Sequence, residues 1–226
     1  MLFSTAMAKR FLYTIFLGGL LFLHTSYLSH KPKRLIVIDP GHGGYDFGAV
    51  GYGNSIEKDI VLQISKEIVR LNNELLKDKY DIYLTRYKDT FVSLRKRSLL
   101  AQKLKASLFV SVHCNRLPGH SHTKGMEVYV AKPLENYSQQ NSKASISLGL
   151  LLTREFSEKL SIKTKGVQFA SFQVLRESVK NQPSVLIETA YVSNKIEAAY
   201  FKEHKNITAI ALAILNSIDK YFKTAK

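Results

Sequence analysis

Cysteine, tryptophan and proline are scarce in this 226-residue chain. It contains one cysteine, Cys114, no tryptophan and five prolines. A single cysteine cannot form an intramolecular disulfide, so the fold must be stabilised by its own core. No cysteine lies just after the amino-terminal apolar run, which excludes a lipid-modified anchor there. The chain also lacks a Gly-x-Ser-x-Gly sequence, so the nucleophile motif of many serine hydrolases is missing.

Acidic residues are few relative to basic ones. The chain has 18 Asp and Glu against 33 Lys and Arg, a formal net charge of +15. A surface of this charge attracts polyanions, and nucleic acid, an anionic membrane face and cell-wall polymer all qualify. Charge alone does not choose among them. The hydrophobic share of 45% and the charged share of 23% are ordinary for a globular protein, and the length favours one domain.

Residues 1–30 differ in pattern from the rest of the chain. Lys9 and Arg10 precede an uncharged run over residues 11–23. Such a run fits the core of a secretory signal, about 7–15 residues, and is shorter than the ~20 residues of a spanning helix. The residues after it form a poor cleavage site. We predict export to the periplasm or cell envelope, with residues 1–30 as signal peptide or amino-terminal anchor. Membrane contact is limited to residues 11–23, if uncleaved, and residues 31–226 are expected to form a monomeric folded domain.

Strand and helix patterns alternate along the folded part. Apolar runs predict strands over residues 34–39, 80–85, 107–113, 126–130, 172–175 and 184–188. Apolar residues spaced by three and four predict helices over residues 57–76, 94–104, 142–160 and 207–222. This alternation predicts the α/β class, as a single domain with an open, mostly parallel or mixed sheet that helices cover on both faces.

Four polar side chains stand at the ends of predicted strands or at a helix start. They are His42, Glu57, His113 and Glu188. Open α/β sheets gather ligands at the carboxyl ends of their strands. Two imidazoles and a carboxylate make a typical catalytic zinc set, and a second carboxylate can serve as a base. Each residue alone has a plainer explanation, because a histidine can be a hydrogen-bonded structural residue and a glutamate can satisfy a helix dipole.

The order of short motifs along the chain resembles the zinc-dependent N-acetylmuramoyl-L-alanine amidase family. The resemblance runs from about residue 34 to residue 222. The matching segments are IVIDPGHGG (36–44), GAVG (48–51), EKDI (57–60), LTR (84–86), LRKR (94–97), FVSVHCN (109–115), GMEVY (125–129), VLR (174–176), PSVLIE (183–188) and SN (193–194).

The resemblance implies a fold, a reaction and a set of site residues. The implied fold is an open sheet of about six strands. The family's zinc ligands fall on His42, Glu57 and His113, with one Zn²⁺ per chain, and its catalytic carboxylate falls on Glu188. The implied reaction is hydrolysis of the amide bond between the lactyl group of N-acetylmuramic acid and L-alanine. Zinc-activated water would be the attacking group, with Glu188 as its general base. The resemblance further implies that residues 31–226 are the catalytic domain, that the partner is peptidoglycan and not nucleic acid, and that the protein would act as an autolysin.

Three further residues near these motifs receive expectations of their own. Arg176 could meet a substrate carboxylate or serve at the surface, and Asn115 is a second candidate for contact with substrate. Adjacent strand residues point to opposite faces. If His113 faces the metal, Cys114 must therefore face the packing side.

Two other functions remain open from the sequence. The same metal centre could serve another exported zinc peptidase or amidase. A basic module could also hold anionic wall polymer without cutting it, although mere binding gives no reason for a base at Glu188.

Overall fold

The computed structural model describes residues 32–135 and 137–224. The predicted signal or anchor at residues 1–30 lies outside them. Among the described residues, no helix combines the length and the apolar character needed to cross a membrane. From Arg34 onward the chain packs as one unit.

Six strands form one sheet. They are β1 (Arg34–Pro40), β2 (Tyr80–Leu84), β3 (Leu108–Asn115), β4 (Met126–Ala131), β5 (Thr164–Ala170) and β6 (Ser184–Tyr191). Their spatial order is β2-β1-β3-β6-β4-β5. All neighbours are parallel except β4 and β6, which are antiparallel. The carboxyl ends of β1, β3 and β6 therefore share one edge with the amino ends of β4 and β5.

Helices cover both faces of this sheet. They are α1 (Glu57–Leu76), α2 (Leu94–Lys103), α3 (Gln139–Leu160), α4 (Gln173–Ser178), α5 (Lys195–Tyr200) and α6 (His204–Thr224). Ile36 and Ile38 of β1 pack in an apolar cluster with α1, α3 and α6, whereas Val37 packs in a second cluster with α2 and α4. Because successive strand residues point to opposite faces, a continuous apolar run is what a strand buried on both sides requires. The prediction of a single α/β domain with a mixed, six-stranded sheet is confirmed.

The fifth predicted strand was wrong. Residues 172–175 do not form a strand, because Gln173–Ser178 is the helix α4. Its buried residues are Val174, Leu175 and Ser178, a spacing of one helical turn; a segment of four residues, three of them apolar, is too short to distinguish this helix from a strand. The actual strand, β5, was missed because it lies at the sheet edge, is only partly buried and contains Gly166 in a left-handed conformation.

Smaller differences concern three helices, one of which is α6, beginning at His204 and not at the predicted residue 207. The short helix α5 was not predicted; the Asn194 side chain begins it by accepting hydrogen bonds from the main-chain nitrogens of Ile196 and Glu197. Helix α3 begins three residues before the predicted start at 142, where the Ser138 hydroxyl accepts from the nitrogen of Asn141. Helix α1 has the predicted bounds.

Candidate metal centre and active site

Three of the predicted site residues meet at the shared strand edge. His42 follows β1, Glu57 is the first residue of α1, and His113 lies near the end of β3. Glu57 Oε2 lies 3.2 Å from His42 Nε2, and Glu57 Oε1 lies 2.9 Å from His113 Nδ1. One ligand atom from each residue lies within 4.8 Å of the others. The carboxylate therefore sits between two imidazoles that share one small space.

The loop after β1 turns by means of three consecutive left-handed residues. The φ angles are +58° at His42, +125° at Gly43 and +62° at Gly44. A left-handed conformation is uncommon for a histidine, and it turns the chain sharply at this residue. Asp46 supports the same turn, because its Oδ1 accepts from the main-chain nitrogen of Gly48 at 3.1 Å.

Two glycines leave the space that the side chains of His113 and Glu57 fill. A Cβ at Gly41 would lie 2.2 Å from His113 Cε1, and one at Gly48 would lie 2.5 Å from Glu57 Oε2. Neither distance is possible between nonbonded atoms. The loop therefore approaches the ligand side chains closely because these positions are glycine.

Hydrogen bonds from neighbouring groups orient the side chains of His42 and Glu57. His42 Nδ1 contacts Asp46 Oδ1 at 2.9 Å, which leaves Nε2 directed at Glu57. Glu57 accepts from the main-chain nitrogens of Ala49 at 2.7 Å and Cys114 at 3.0 Å. A carboxylate behind a histidine is the usual arrangement around metal-binding imidazoles, because it fixes the tautomer and the ring orientation.

The three side chains strongly change one another's pKa values. Burial alone would lower the pKa of His42, but the carboxylates of Glu57 and Asp46 outweigh it and raise this pKa to about 9. The pKa of His113 is also raised, because Glu57 again outweighs burial. Burial would raise the pKa of Glu57, yet its hydrogen bonds to His113 and His42 hold it well below its usual value. The carboxylate is therefore charged and attracts positive charge to both rings.

These residues fit a bound divalent cation. A carboxylate buried between two imidazoles needs a positive partner, and without a metal that partner is a pair of raised-pKa histidines. A divalent cation can replace those protons and bond to the same three atoms. Two imidazoles and one carboxylate are a donor set that suits zinc and leaves a position free.

Glu188 lies beside this cluster, on β6. It is in register with His113 of β3, so the two side chains project from neighbouring strands on the same face of the sheet. Its Oε2 is buried and has no hydrogen-bond partner among the described residues. Burial raises the pKa of Glu188 to about 7, and the negative charge of Glu57 adds to this effect. A carboxylate in this state can take up and release a proton near neutral pH.

The structure adds a polar group that the sequence reasoning missed. Glu127 of β4 is in register with Glu188 across the antiparallel pair. Its carboxylate is buried and accepts hydrogen bonds from Lys165, Tyr191 and Tyr129. Glu127 belongs to the GMEVY segment that carried part of the family resemblance, which was the available signal. Lys165 had no such signal, because its strand was not predicted.

The two predicted substrate contacts lie in different surroundings. The Asn115 side chain donates to Glu127 Oε2 at 3.3 Å and so lies at the edge of the site. Arg176 donates to the main-chain oxygen of Ser171, and its role with substrate stays a prediction. Cys114 is buried in the apolar cluster, with Sγ 3.3 Å from Thr189 Oγ1, so its predicted packing position is confirmed.

An open cleft runs from the metal-ligand cluster along the surface. Its volume is about 560 Å³, and His42 and His113 line one end. Its other lining residues are Asp39, Gly41, Asp46, residues 91–95, Arg97 and Gln173. At the rim, Tyr45 stacks on Phe91 with ring centroids 4.4 Å apart. The cluster is therefore reachable by a large substrate.

Comparison with known proteins shows relatives along most of the chain. Residues 36–220 match the Amidase_3 family, described as N-acetylmuramoyl-L-alanine amidase. An endolysin of Bacillus phage SPP1 is 36% identical over 181 residues, 79% of this chain and 62% of the phage protein. The N-acetylmuramoyl-L-alanine amidase LytC of Bacillus subtilis is 35% identical over 188 residues, 83% of this chain and 35% of LytC.

A solved structure gives the same result for the fold. The catalytic domain of CwlV, an N-acetylmuramoyl-L-alanine amidase from Paenibacillus polymyxa, superposes with a TM-score of 0.72 at 31% identity. The match covers 84% of this chain and 98% of that domain. This chain spans less than two thirds of the length of the two curated relatives, so the likeness is to part of each. Sequence, fold and site together show that the chain belongs to the Amidase_3 family of N-acetylmuramoyl-L-alanine amidases.

Proposed function

We propose that this protein is a zinc-dependent N-acetylmuramoyl-L-alanine amidase acting on peptidoglycan. It hydrolyses the amide bond between the lactyl group of N-acetylmuramic acid and L-alanine. One Zn²⁺ per chain is held by His42, Glu57 and His113. The observation that carries the proposal is the meeting of these three side chains beside Glu188, whose buried Oε2 has no hydrogen-bond partner in the described part of the chain.

His42, Glu57 and His113 would hold the zinc ion and determine its chemistry. A zinc ion held by two imidazoles and a carboxylate lowers the pKa of a water molecule and polarises a carbonyl group. Asp46 keeps His42 Nδ1 engaged so that Nε2 is presented, and the main-chain nitrogens of Ala49 and Cys114 hold Glu57 in position. These contacts supply the fixed geometry that such a site requires.

Glu188 moves the proton in this reaction. As water attacks the amide carbonyl carbon, the Glu188 carboxylate accepts a proton from it. The carbon–nitrogen bond then breaks, and Glu188 returns that proton to the amine of the departing L-alanine. The products are a free lactyl carboxylate on the glycan and a free stem peptide. The burial that raises the pKa of Glu188 favours uptake of a proton by this carboxylate.

Location and charge agree with a substrate outside the cytoplasm. Residues 1–30 would carry the chain across the membrane and end as a cleaved signal or an anchor. Without Lys9 and Arg10, residues 31–226 still hold 31 basic residues against 18 acidic ones. That excess would draw the domain to anionic wall polymer, an attraction that salt weakens.

The test is to identify the bond that is cut. The full-length chain, loaded with zinc, is incubated with purified peptidoglycan, and the released fragments are analysed by mass spectrometry. We expect stem peptides with a free amino-terminal L-alanine and glycans that keep the lactyl carboxylate. Cleavage within the stem peptide would instead indicate a different zinc peptidase. Binding to peptidoglycan without any released fragment would indicate a wall-binding module. The Glu188→Gln variant controls for contaminating hydrolases.

A further inference from the structure

One arginine side chain joins the two segments that bring His42 and Glu57 together. Arg86 follows β2 and is buried, with 3% of its surface exposed. Its Nη2 donates both to the main-chain oxygen of Gly41 at 2.7 Å and to that of Lys58 at 2.8 Å. Gly41 immediately precedes His42, and Lys58 immediately follows Glu57. A single nitrogen atom thus bridges the chain neighbours of two metal-ligand candidates.

The remaining donors of Arg86 hold the same region. Nε donates to the main-chain oxygen of Pro40 at 3.1 Å, and Nη1 donates to that of Lys88 at 3.3 Å. All four acceptors are main-chain carbonyl oxygens and none is a carboxylate. Burial, together with the nearby charge of Arg97, lowers the pKa of Arg86. Burying the Arg86 charge costs free energy unless its donors are hydrogen-bonded, as they are here by four main-chain oxygens.

The same bridge reaches the third candidate through packing. Gly41, whose carbonyl Arg86 holds, lies against the His113 ring so closely that a Cβ would be 2.2 Å from Cε1. A shift of Gly41 therefore changes the space that the His113 imidazole occupies. Arg86 thus bonds to the chain neighbours of His42 and Glu57, and through Gly41 it also affects the packing around His113.

A second arginine helps with the loop but has a different set of partners. Arg97 donates to the main-chain oxygens of Pro40 and His42, each at 2.7 Å, and pairs with the buried Asp39 carboxylate at 2.7 Å. Its bonds to the metal-site segments go to the loop after β1, whereas those of Arg86 also reach α1. Arg86 therefore links the Gly41 carbonyl group to α1, beside the bond from Lys58 Nζ to the Gly44 main-chain oxygen at 2.8 Å.

We propose that Arg86 is a positioning residue that sets the distance between His42 and Glu57 and thereby preorganises the metal centre. The proposal rests on the proposed function in one respect: the cluster must bind a divalent cation. Lysine keeps the charge but offers one nitrogen instead of the planar fork, so it cannot hold Pro40, Gly41, Lys58 and Lys88 together. Arg86→Lys should therefore loosen the arrangement of His42, Glu57 and His113 while keeping a positive charge at position 86.

The test is zinc affinity of the full-length chain, measured by competition with a chromophoric chelator. We expect Arg86→Lys to raise the zinc dissociation constant by ~10–100-fold, the usual effect of removing a group that orients a metal ligand. The visible absorption of the Co²⁺-loaded protein should change as well, because it depends on ligand geometry. Arg154→Lys, at an exposed arginine paired with Glu158 on α3, should alter neither.

A stability control separates positioning from general weakening. Ile214→Val removes one methylene from the core of α6 and should lower the denaturation midpoint without changing zinc affinity. If Arg86→Lys behaved in the same way, with wild-type zinc affinity and Co²⁺ spectrum, the positioning role would be refuted. If the wild-type chain bound no zinc, the proposed function would fail instead, so the two failures are distinguishable.

Discussion

Replacing Gly41 by alanine adds one methyl group at the place where the loop after β1 touches the metal centre. Gly41 is not in the left-handed region, so its backbone conformation is open to alanine. Its main-chain nitrogen keeps its bond to the oxygen of Val112. The perturbation is therefore the contact with His113 and not backbone strain.

The size of the effect follows from the distances. The added Cβ would lie 2.2 Å from His113 Cε1 and 2.6 Å from both ring nitrogens, where ordinary contact begins at 3.4 Å. The ring or the loop must therefore move by roughly 1 Å. A displacement of this size can lower turnover by ~10²-fold. Loosening a metal ligand can lower the affinity for zinc by ~10–100-fold. The metal-free chain should lose about 1–3 kcal/mol of stability, as overpacked sites do.

The assay pairs zinc affinity with the release of stem peptides by the full-length chain. Gly119→Ala is a matched control, because φ there is +76° and a Cβ would meet no atom within 4 Å. It should lose about 1–2 kcal/mol of stability through left-handed strain alone, with normal zinc affinity and turnover. Wild-type zinc affinity in the Gly41→Ala protein would refute the assignment of His113 as a ligand beside this glycine.

Three further predictions concern the site. Glu188→Gln should keep zinc and lose ~10²–10⁴-fold in turnover; loss of zinc, measured by elemental analysis, would make Glu188 a ligand instead. His113→Ala should lose both zinc and turnover, and an unchanged zinc stoichiometry would contradict its role. In the metal-free chain the pKa of His42 is raised from 6.5 to about 9, so its contribution to stability is full below pH 6.5 and is lost as pH rises through 9. Zinc binds the unprotonated His42 ring, so the gain in unfolding free energy on adding zinc should increase between pH 6.5 and pH 9. A gain that does not change with pH in denaturation experiments would contradict this.

The predictions from sequence succeeded where burial on both faces leaves a simple pattern. Strands β1, β3 and β6 lie inside the sheet, and continuous apolar runs predicted each of them. The structure places His42, His113 and Glu188 at or near their carboxyl ends, as the strand predictions implied. Strand β5 was not predicted, because an edge strand needs no continuous apolar run and Gly166 interrupts its alternation of apolar and polar residues.

The contacts that orient the site were beyond the reach of the sequence for a different reason. Arg86 acts on main-chain carbonyl oxygens, and every residue has one, so no side-chain pattern identifies its partners. The arginine itself was part of the LTR segment, but its role depends on a packing arrangement of β1, β2 and α1. Lys165 is similar, since its partner Glu127 lies on a different strand.

The site residues divide by the way in which the fold holds them. His113 and Glu188 are on adjacent parallel strands inside the sheet, where main-chain hydrogen bonds fix their register. His42 and Glu57 come from a left-handed loop and a helix start, where no sheet register applies and local main-chain bonds are supplemented by side-chain bonds. The arginine and aspartate contacts collect around these two residues for that reason. Substitutions that disturb the loop should accordingly weaken zinc binding before they unfold the sheet, whereas substitutions within β3 or β6 should do both together.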